Sequence, residues 1–277
     1  MTVLLIYRAP RFSPNSVEKD KAILEAVGQN LLLQGVDVQF VEEEKLMDCF
    51  NFDAILSMGR LTPTLVRLAE AEQKGIPVIN SAQAILRSSR GEIDLLMRAN
   101  AIPVPRLWED SATSGSFCGY WAKRADLAAQ SREDVQYAAD EKELRLVLAT
   151  FNARGVGQVL VTEHVSGDLV KFYGVFGTGF FRVFYPTDDG DTKFGDERRN
   201  GQAHHYAFDL QRLQRDAEML SRLTGISIYG GDCIVRPDGS YAFIDFNDWP
   251  SFSRCREDAA RAIVQCCLRQ ASSSPIT

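Results

Sequence analysis

Tyr229-Gly-Gly-Asp232-Cys-Ile-Val-Arg-Pro-Asp-Gly-Ser-Tyr241-Ala-Phe-Ile-Asp245-Phe-Asn247-Asp-Trp-Pro-Ser-Phe252 is the stretch that decides how the rest of the chain is read. Residues 233–236 and 241–246 favour β structure, and Pro-Asp-Gly-Ser between them supplies turn chemistry, so the stretch predicts a hairpin. Asp232 then enters the first strand, while Asp245 and Asn247 leave the second two residues apart and therefore on one face. Oxygen-only donors with two carboxylates suit a hard cation, and Mg2+ in particular takes one or two carboxylates together with substrate phosphates. The plainer alternative is an Asp-Gly hairpin with acidic ends. Against it stands Asp245, which lies between Ile244 and Phe246 in an apolar strand, where an uncompensated carboxylate is costly.

The whole chain sets loose bounds around this hairpin. Its 277 residues, 45% hydrophobic and 25% charged, are an ordinary globular composition with room for two or three modest subdomains. A net charge of -6 argues against a general nucleic-acid or membrane-surface binder, although it leaves room for a local basic cleft. The first apolar run has no charged leader and is too short for a signal or a membrane span. Six cysteines without a C-x-x-C pair suggest neither a zinc site nor a disulfide scaffold, and a reducing cytoplasm is the expected home. Cys266 and Cys267 read as packing residues.

From the N-terminus, residues 3–7, 36–41, 54–57 and 76–79 read as strands, with helical patterns at 17–33 and 62–74 between them. This alternation predicts an α/β domain with a short parallel sheet, whose ligands bind beyond the strands' carboxyl ends. The loops there hold Arg8, Arg11, Ser13 and Asn15, then Gly59 and Arg60, then Asn80 and Ser81. Arginine favours planar anions, so Arg8, Arg11 and Arg60 are candidates for a substrate anion; singly, each is more ordinarily a solvated loop residue. A helical segment beginning at Ser81, interrupted near Arg90-Gly91, leads to Ile102-Pro-Val-Pro, an extended linker that puts a boundary near residue 104.

Beyond it, Tyr120-Trp-Ala-Lys123 is a short strand whose lysine needs either an anion or a route to solvent. A polar segment, 124–140, precedes a helix at 141–152. Two strands follow, carrying Lys171 and Arg182 among mostly apolar neighbours, which again implies either an anionic partner or the wet face of a half-buried sheet. Residues 187–207, with Lys193, Arg198, Arg199, His204 and His205, read as an exposed, solvated loop. The adjacent histidines point apart on extended chain and make no metal pair. Helices are expected over 209–223 and 256–269.

The order of these parts resembles the ATP-grasp superfamily, which includes D-alanine:D-alanine ligase, glutathione synthetase, the ribosomal-protein glutamate ligases and the inositol trisphosphate kinases. The resemblance covers essentially the whole chain. It rests on the α/β start, Ile-Pro-Val-Pro, Trp-Ala-Lys123, Thr-Glu163-His-Val-Ser-Gly-Asp-Leu-Val-Lys171-Phe-Tyr-Gly-Val, and Gly-Asp232 followed by Ile-Asp245-Phe-Asn247-Asp-Trp-Pro. It implies an N-terminal domain over 1–80, a linker helix over 81–104, and an α+β ATP-grasp fold of two subdomains, 105–165 and 166–277, with mixed or antiparallel sheets. ATP would lie between the subdomains, with Glu163, His164 and Val165 at the adenine-side hinge and Lys123 and Lys171 on the phosphates. Asp232, Asp245 and Asn247 would hold Mg2+, and Lys171 and Arg182 would steady the transferred phosphoryl group.

The implied activity is an ATP-dependent carboxylate–amine ligase of the cytoplasm acting on a small carboxylate and an amine, with Arg8, Arg11, Ser13, Asn15 and Arg60 around the carboxylate. A homodimer built on the first domain follows from the same analogy, and no nucleic-acid or membrane partner is expected. Two alternatives stay open: a small-molecule kinase of the inositol-phosphate type, which the Lys171 stretch resembles, and a nucleotide-binding protein without turnover. Three departures stand out. Residues 124–140 contain no glycine where many relatives have a glycine-rich loop over the phosphates; Asp245 replaces a frequent glutamate; and Gly91-Glu92-Ile93 stands where an Asp-Lys pair is frequent, so a lysine contact is expected to be missing.

Overall fold

The computed structural model describes residues 1–13, 16–47, 49–110, 117–126, 131–188 and 199–273. The N-terminal part is β1 (Thr2–Tyr7), α1 (Val17–Leu33), β2 (Asp37–Glu42), β3 (Ala54–Ser57), α2 (Thr62–Gln73) and β4 (Val78–Ile79). All strand pairs in it are parallel, in the order β2-β1-β3-β4. The apolar run of β1 has no alternation because both faces are covered. Val3 and Leu5 join a cluster with Ile23, Leu24 and Val27 of α1, while Leu4 and Ile6 pack with Leu65 and Leu68 of α2. The edge strand β2 alone stays largely exposed.

The linker carries α3 (Ala82–Leu86), capped by the Ser81 side chain, and α4 (Arg90–Ala99), closed by a capping box between Ser89 and Glu92. The interruption read near Arg90 is therefore a helix start. Then come β5 (Tyr120–Arg124), β6 (Val135–Ala138), α5 (Glu141–Ala153) and β7 (Val159–Glu163), forming an antiparallel sheet in the order β6-β5-β7. Strand β6 lies inside the segment read as polar; its four residues are too few for alternation to show.

The last sheet is antiparallel, in the order β11-β10-β8-β9, from β8 (Asp168–Val175), β9 (Phe180–Phe184), β10 (Ile228–Val235) and β11 (Tyr241–Asp248). Helix α6 (Leu210–Thr224) starts on Asp209 and ends on Gly225 at φ 77°, a left-handed position that costs glycine little. The terminal helix α7 (Arg256–Ser273) returns to the N-terminal sheet, where Ala259, Ile263 and Cys267 share a core with Val3, Leu56 and Val27. Cys266 and Cys267 are buried packing residues, as expected. Among the described residues, no helix is long and apolar enough to cross a membrane.

Part of the loop read as a solvated excursion is pinned. The buried carboxylate of Asp168 accepts from the amides of His204 (2.7 Å) and Tyr206 (2.9 Å), and Asn200 donates to the Val165 carbonyl at 3.2 Å. His204 and His205 do diverge, the first toward Asp168 and the second toward Asp188. Lys193 and Arg198 lie outside the described residues.

A second buried side chain ties the N-terminal sheet to the last one. Asn80, 1% exposed, donates Nδ2 to the Ile228 carbonyl and accepts the Ile228 amide through Oδ1, both at 2.8 Å. Leucine at position 80 leaves the Ile228 amide without a partner in the interior and its carbonyl with the Trp249 amide alone, so the expected loss is about 1–3 kcal/mol. The check is a lower midpoint in urea at an unchanged slope.

Candidate functional site

A cavity of about 730 Å3 opens between the two antiparallel sheets and the carboxyl ends of the parallel one. Its floor is the hairpin face. In the β10–β11 ladder Asp232 stands opposite Asp245 and Gly230 opposite Asn247, while on the other side Asp232 pairs with Lys171 of β8. One face therefore presents Lys171, Asp232, Asp245 and Asn247 together. Lys171 Nζ lies 3.1 and 3.3 Å from the two Asp232 oxygens, and Asn247 Nδ2 lies 3.3 Å from Asp245 Oδ2. On the opposite face of the same strand Gly231 allows close packing, since a Cβ there would run into the Phe172 ring and the Asp245 carbonyl.

The ladder slips between Asp232 and Cys233, leaving Ile244 opposite no residue. A bulge of this kind frees a backbone group for other use. Here Lys123 Nζ donates to the Ile244 carbonyl at 2.7 Å, reaching from β5 across to the hairpin. Tyr120 and Ala122 face the core beneath α5, so strand alternation turns Trp121 and Lys123 to the cavity. Burial pushes the Lys123 ammonium down to about 8, aided by the Arg90 cation and opposed by Asp245 and Asp232. Burial raises Asp245, but Arg90, Lys123, Asn247 and Lys171 outweigh it and hold its carboxyl below the usual range.

Arg90 was not singled out from the sequence. It is the first residue of α4; its Nη1 donates to the Arg124 carbonyl at 2.9 Å, and its Nη2 lies 3.6 Å from Asp245 Oδ1. This arginine, one residue before Gly91, places a cation of the linker helix beside Asp245. Gly91 itself allows close contact, its amide donating to the Ala125 carbonyl at 3.0 Å.

Glu163, His164 and Val165 all line the cavity. The Glu163 carboxylate is held by Arg106, with Nε at 2.8 Å and the Arg106 amide at 3.0 Å. His164 Nδ1 accepts from Trp121 Nε1 at 3.1 Å; burial and then Arg199 lower its basicity. Arg199 lies over the Tyr137 ring at 3.9 Å. The segment without glycine brings Ser131 and Arg132 to the wall, held by the buried Asp134 carboxylate, which pairs with Arg154 at 2.6 Å.

At the N-terminal end, Arg8, Ser13 and Arg60 also line the cavity, but each has an internal carboxylate partner. Arg8 lies 3.1 Å from Asp20 and 3.4 Å from Asp248; Arg60 pairs with Asp248; Ser13 Oγ donates to Asp20 at 2.5 Å. Buried Glu43 joins the two arginine loops by accepting the amides of Ala9 (2.5 Å), Arg60 (2.7 Å) and Leu61 (2.8 Å). Two of the expected arginines are not at the cavity wall. Arg11 is exposed and stacks on Phe12. Arg182 shares the hairpin face but sits on edge strand β9, half-exposed, 3.5 Å from Asp258 of α7. Arg254, after β11, lines the cavity instead, over the Phe184 ring and donating to the Tyr185 carbonyl at 3.3 Å. Asn15 lies outside the described residues.

The hairpin donors suit a hard cation. Among the described residues, no three His, Cys, Asp or Glu side chains are grouped as a self-sufficient metal site. Two carboxylates and an amide on one face, ringed by Lys123, Lys171 and Arg90, match a cation that shares its shell with phosphate oxygens.

No protein-family model and no curated protein matches the sequence. Solved structures do. D-alanyl-alanine synthetase A from Vibrio cholerae O1 biovar eltor superposes with a TM-score of 0.67 at 14% identity, covering 99% of each chain. A RimK domain protein ATP-grasp from Sphaerobacter thermophilus gives a TM-score of 0.65 at 19% identity, over 97% of this chain and 100% of its own. The chain has the ATP-grasp fold. The ATP-grasp ligase PsnB, complexed with its minimal precursor, is similar over 98% of this chain and 100% of its own, with a TM-score of 0.64 at 15% identity. Another PsnB structure, with a phosphomimetic variant of the minimal precursor, contains Mg and ADP. Within the ATP-grasp fold, the cavity described above is the space between the two antiparallel sheets.

Proposed function

We propose that the chain is an ATP- and Mg2+-dependent carboxylate–amine ligase. The observation that carries this reading is the meeting of Lys123, Lys171, Asp232, Asp245 and Asn247, drawn from four strands of two sheets, in one cleft. Asp232, Asp245 and Asn247 would hold Mg2+, whose contribution is to neutralise charge on the triphosphate. Lys123, Lys171 and Arg90 would grip the phosphates, and the 163–165 turn, with Trp121 and Tyr137 beside it, would border the base. The substrate carboxylate would take the γ-phosphoryl group, releasing ADP. The amine would then attack the acyl carbon, forming the C–N bond and releasing phosphate. Positioning and charge neutralisation are what such a transfer requires of a protein, and fixed cations around a metal site provide them. That solved ligases share the fold, among them D-alanine–D-alanine ligases and PsnB, supports a ligase over the other readings.

The test is ADP and phosphate release across a panel of small carboxylates and amines. A ligase releases both only when carboxylate and amine are present together. Release of ADP with the phosphoryl group left on a single acceptor would assign a kinase instead. A protein that ATP stabilises against heat equally with and without Mg2+ would be neither.

A further inference from the structure

The hairpin that carries the metal donors is held at its open end by the N-terminal domain, at two neighbouring points. Asn80 grips both backbone groups of Ile228, the first residue of β10. Arg60 and Arg8 grip the carboxylate of Asp248, the last residue of β11, and Arg8 Nη2 also donates to the Trp249 carbonyl at 3.3 Å. The two strands close on each other there, with the Trp249 amide donating to the Ile228 carbonyl at 3.1 Å. Asp248 directly follows Asn247, and its side chain is 2% exposed. Behind it, Arg8 is anchored by Asp20 and the Met58 carbonyl, and the loops bearing Arg8 and Arg60 are joined by Glu43. Two arginines thus face three internal carboxylates, Asp20, Glu43 and Asp248, so this end of the cavity is not a cationic socket.

We infer that Asp248 is a positioning residue: with Arg8 and Arg60 it bolts the β11 end to the N-terminal sheet and so sets where Asn247 and Asp245 face the cavity. Arg8 and Arg60 then serve this bolt, and they do not capture the substrate carboxylate. The inference rests on the nucleotide and metal reading above. Carboxylates that orient metal donors from behind typically account for about 10- to 100-fold in metal affinity.

The experiment measures thermal stabilisation by ATP while Mg2+ is titrated, in the wild type, Asp248→Asn and Arg60→Gln. Both variants are expected to need about 10-fold more Mg2+ for half of the effect, with the shift by ATP in EDTA unchanged. The double variant is expected to recover ligand-free stability relative to Asp248→Asn alone, because no buried guanidinium is left without its carboxylate, while its Mg2+ midpoint stays high. If the arginines instead form an anion socket for which Asp248 is a placeholder, Asp248→Asn keeps the wild-type Mg2+ midpoint and becomes stabilised by inorganic phosphate or succinate where the wild type is not. That result, or an unchanged midpoint in Arg60→Gln, overturns the inference. A wild type without any Mg2+-dependent shift would instead remove the functional reading and the inference with it, so the two failures are told apart.

Discussion

Asparagine at position 232 is expected to remove Mg2+-dependent stabilisation by ATP and to slow ADP release by about 100- to 1,000-fold, the usual cost of removing one charge-stabilising group from a transfer site. Asp232 is one of two carboxylates on the donor face and stands directly opposite the other. Its side chain is about one quarter exposed and its replacement is isosteric, so the fold is expected to survive. The sign of a second readout separates a metal role from a structural one. Asp232 neutralises Lys171, so its removal frees that cation for phosphate. ATP in EDTA should therefore bind as tightly as to the wild type or more tightly, while ATP with Mg2+ binds more weakly. Calorimetric titration under the two conditions checks this, and equal weakening in both would count against the metal assignment.

Lys123 carries the second large effect, and its expected signature is in pH. Burial, with Arg90 beside it, holds the ammonium down at about 8 against an ordinary value of 10.5. A triphosphate next to it favours the charged form, so binding above pH 8 takes up a proton. Affinity for ATP is then expected to fall about 5-fold between pH 8 and 9 in the wild type and to approach about 10-fold per pH unit above that, one proton being linked to one nucleotide. Lys123→Met should bind about 100-fold more weakly at pH 7, as for loss of one partner of a buried charge pair, and show no slope over the same range. Stability of the ligand-free protein moves the other way. Between about 8 and 10.5 the unfolded chain binds the lysine proton and the folded chain does not, so the Lys123 contribution to stability rises with pH across that window. Denaturation at pH 7.5, 9 and 10.5 should show the rise flattened in Lys123→Met.

Much of the architecture was legible because local chemistry set it. The helix expected over 17–33 and the strand over 54–57 occur with those bounds, since apolar pattern and flanking breakers act within one element. The hairpin was readable for the same reason. Asp-Gly marked its turn, and the pleat put Asp245 and Asn247 on one face before any partner strand was known.

The amino-acid sequence by itself thus determined the helices and strands of the N-terminal part, its parallel sheet, the hairpin turn and the spacing of the acidic side chains, because these follow from neighbours a few residues apart; the short strands β6 and β7 were not legible in it. Only the tertiary structure decided which charges meet. Arg90 reaches Asp245 across 155 residues of chain, Lys123 finds the carbonyl that a bulge at Ile244 leaves free, and Arg8 and Arg60 are taken up by Asp248, which is remote from both in sequence. A long cationic side chain looks the same in sequence whether it faces water, a substrate or an internal carboxylate. Its fate depends on which strand ends the fold packs together and on how little charge a buried cleft tolerates without a partner.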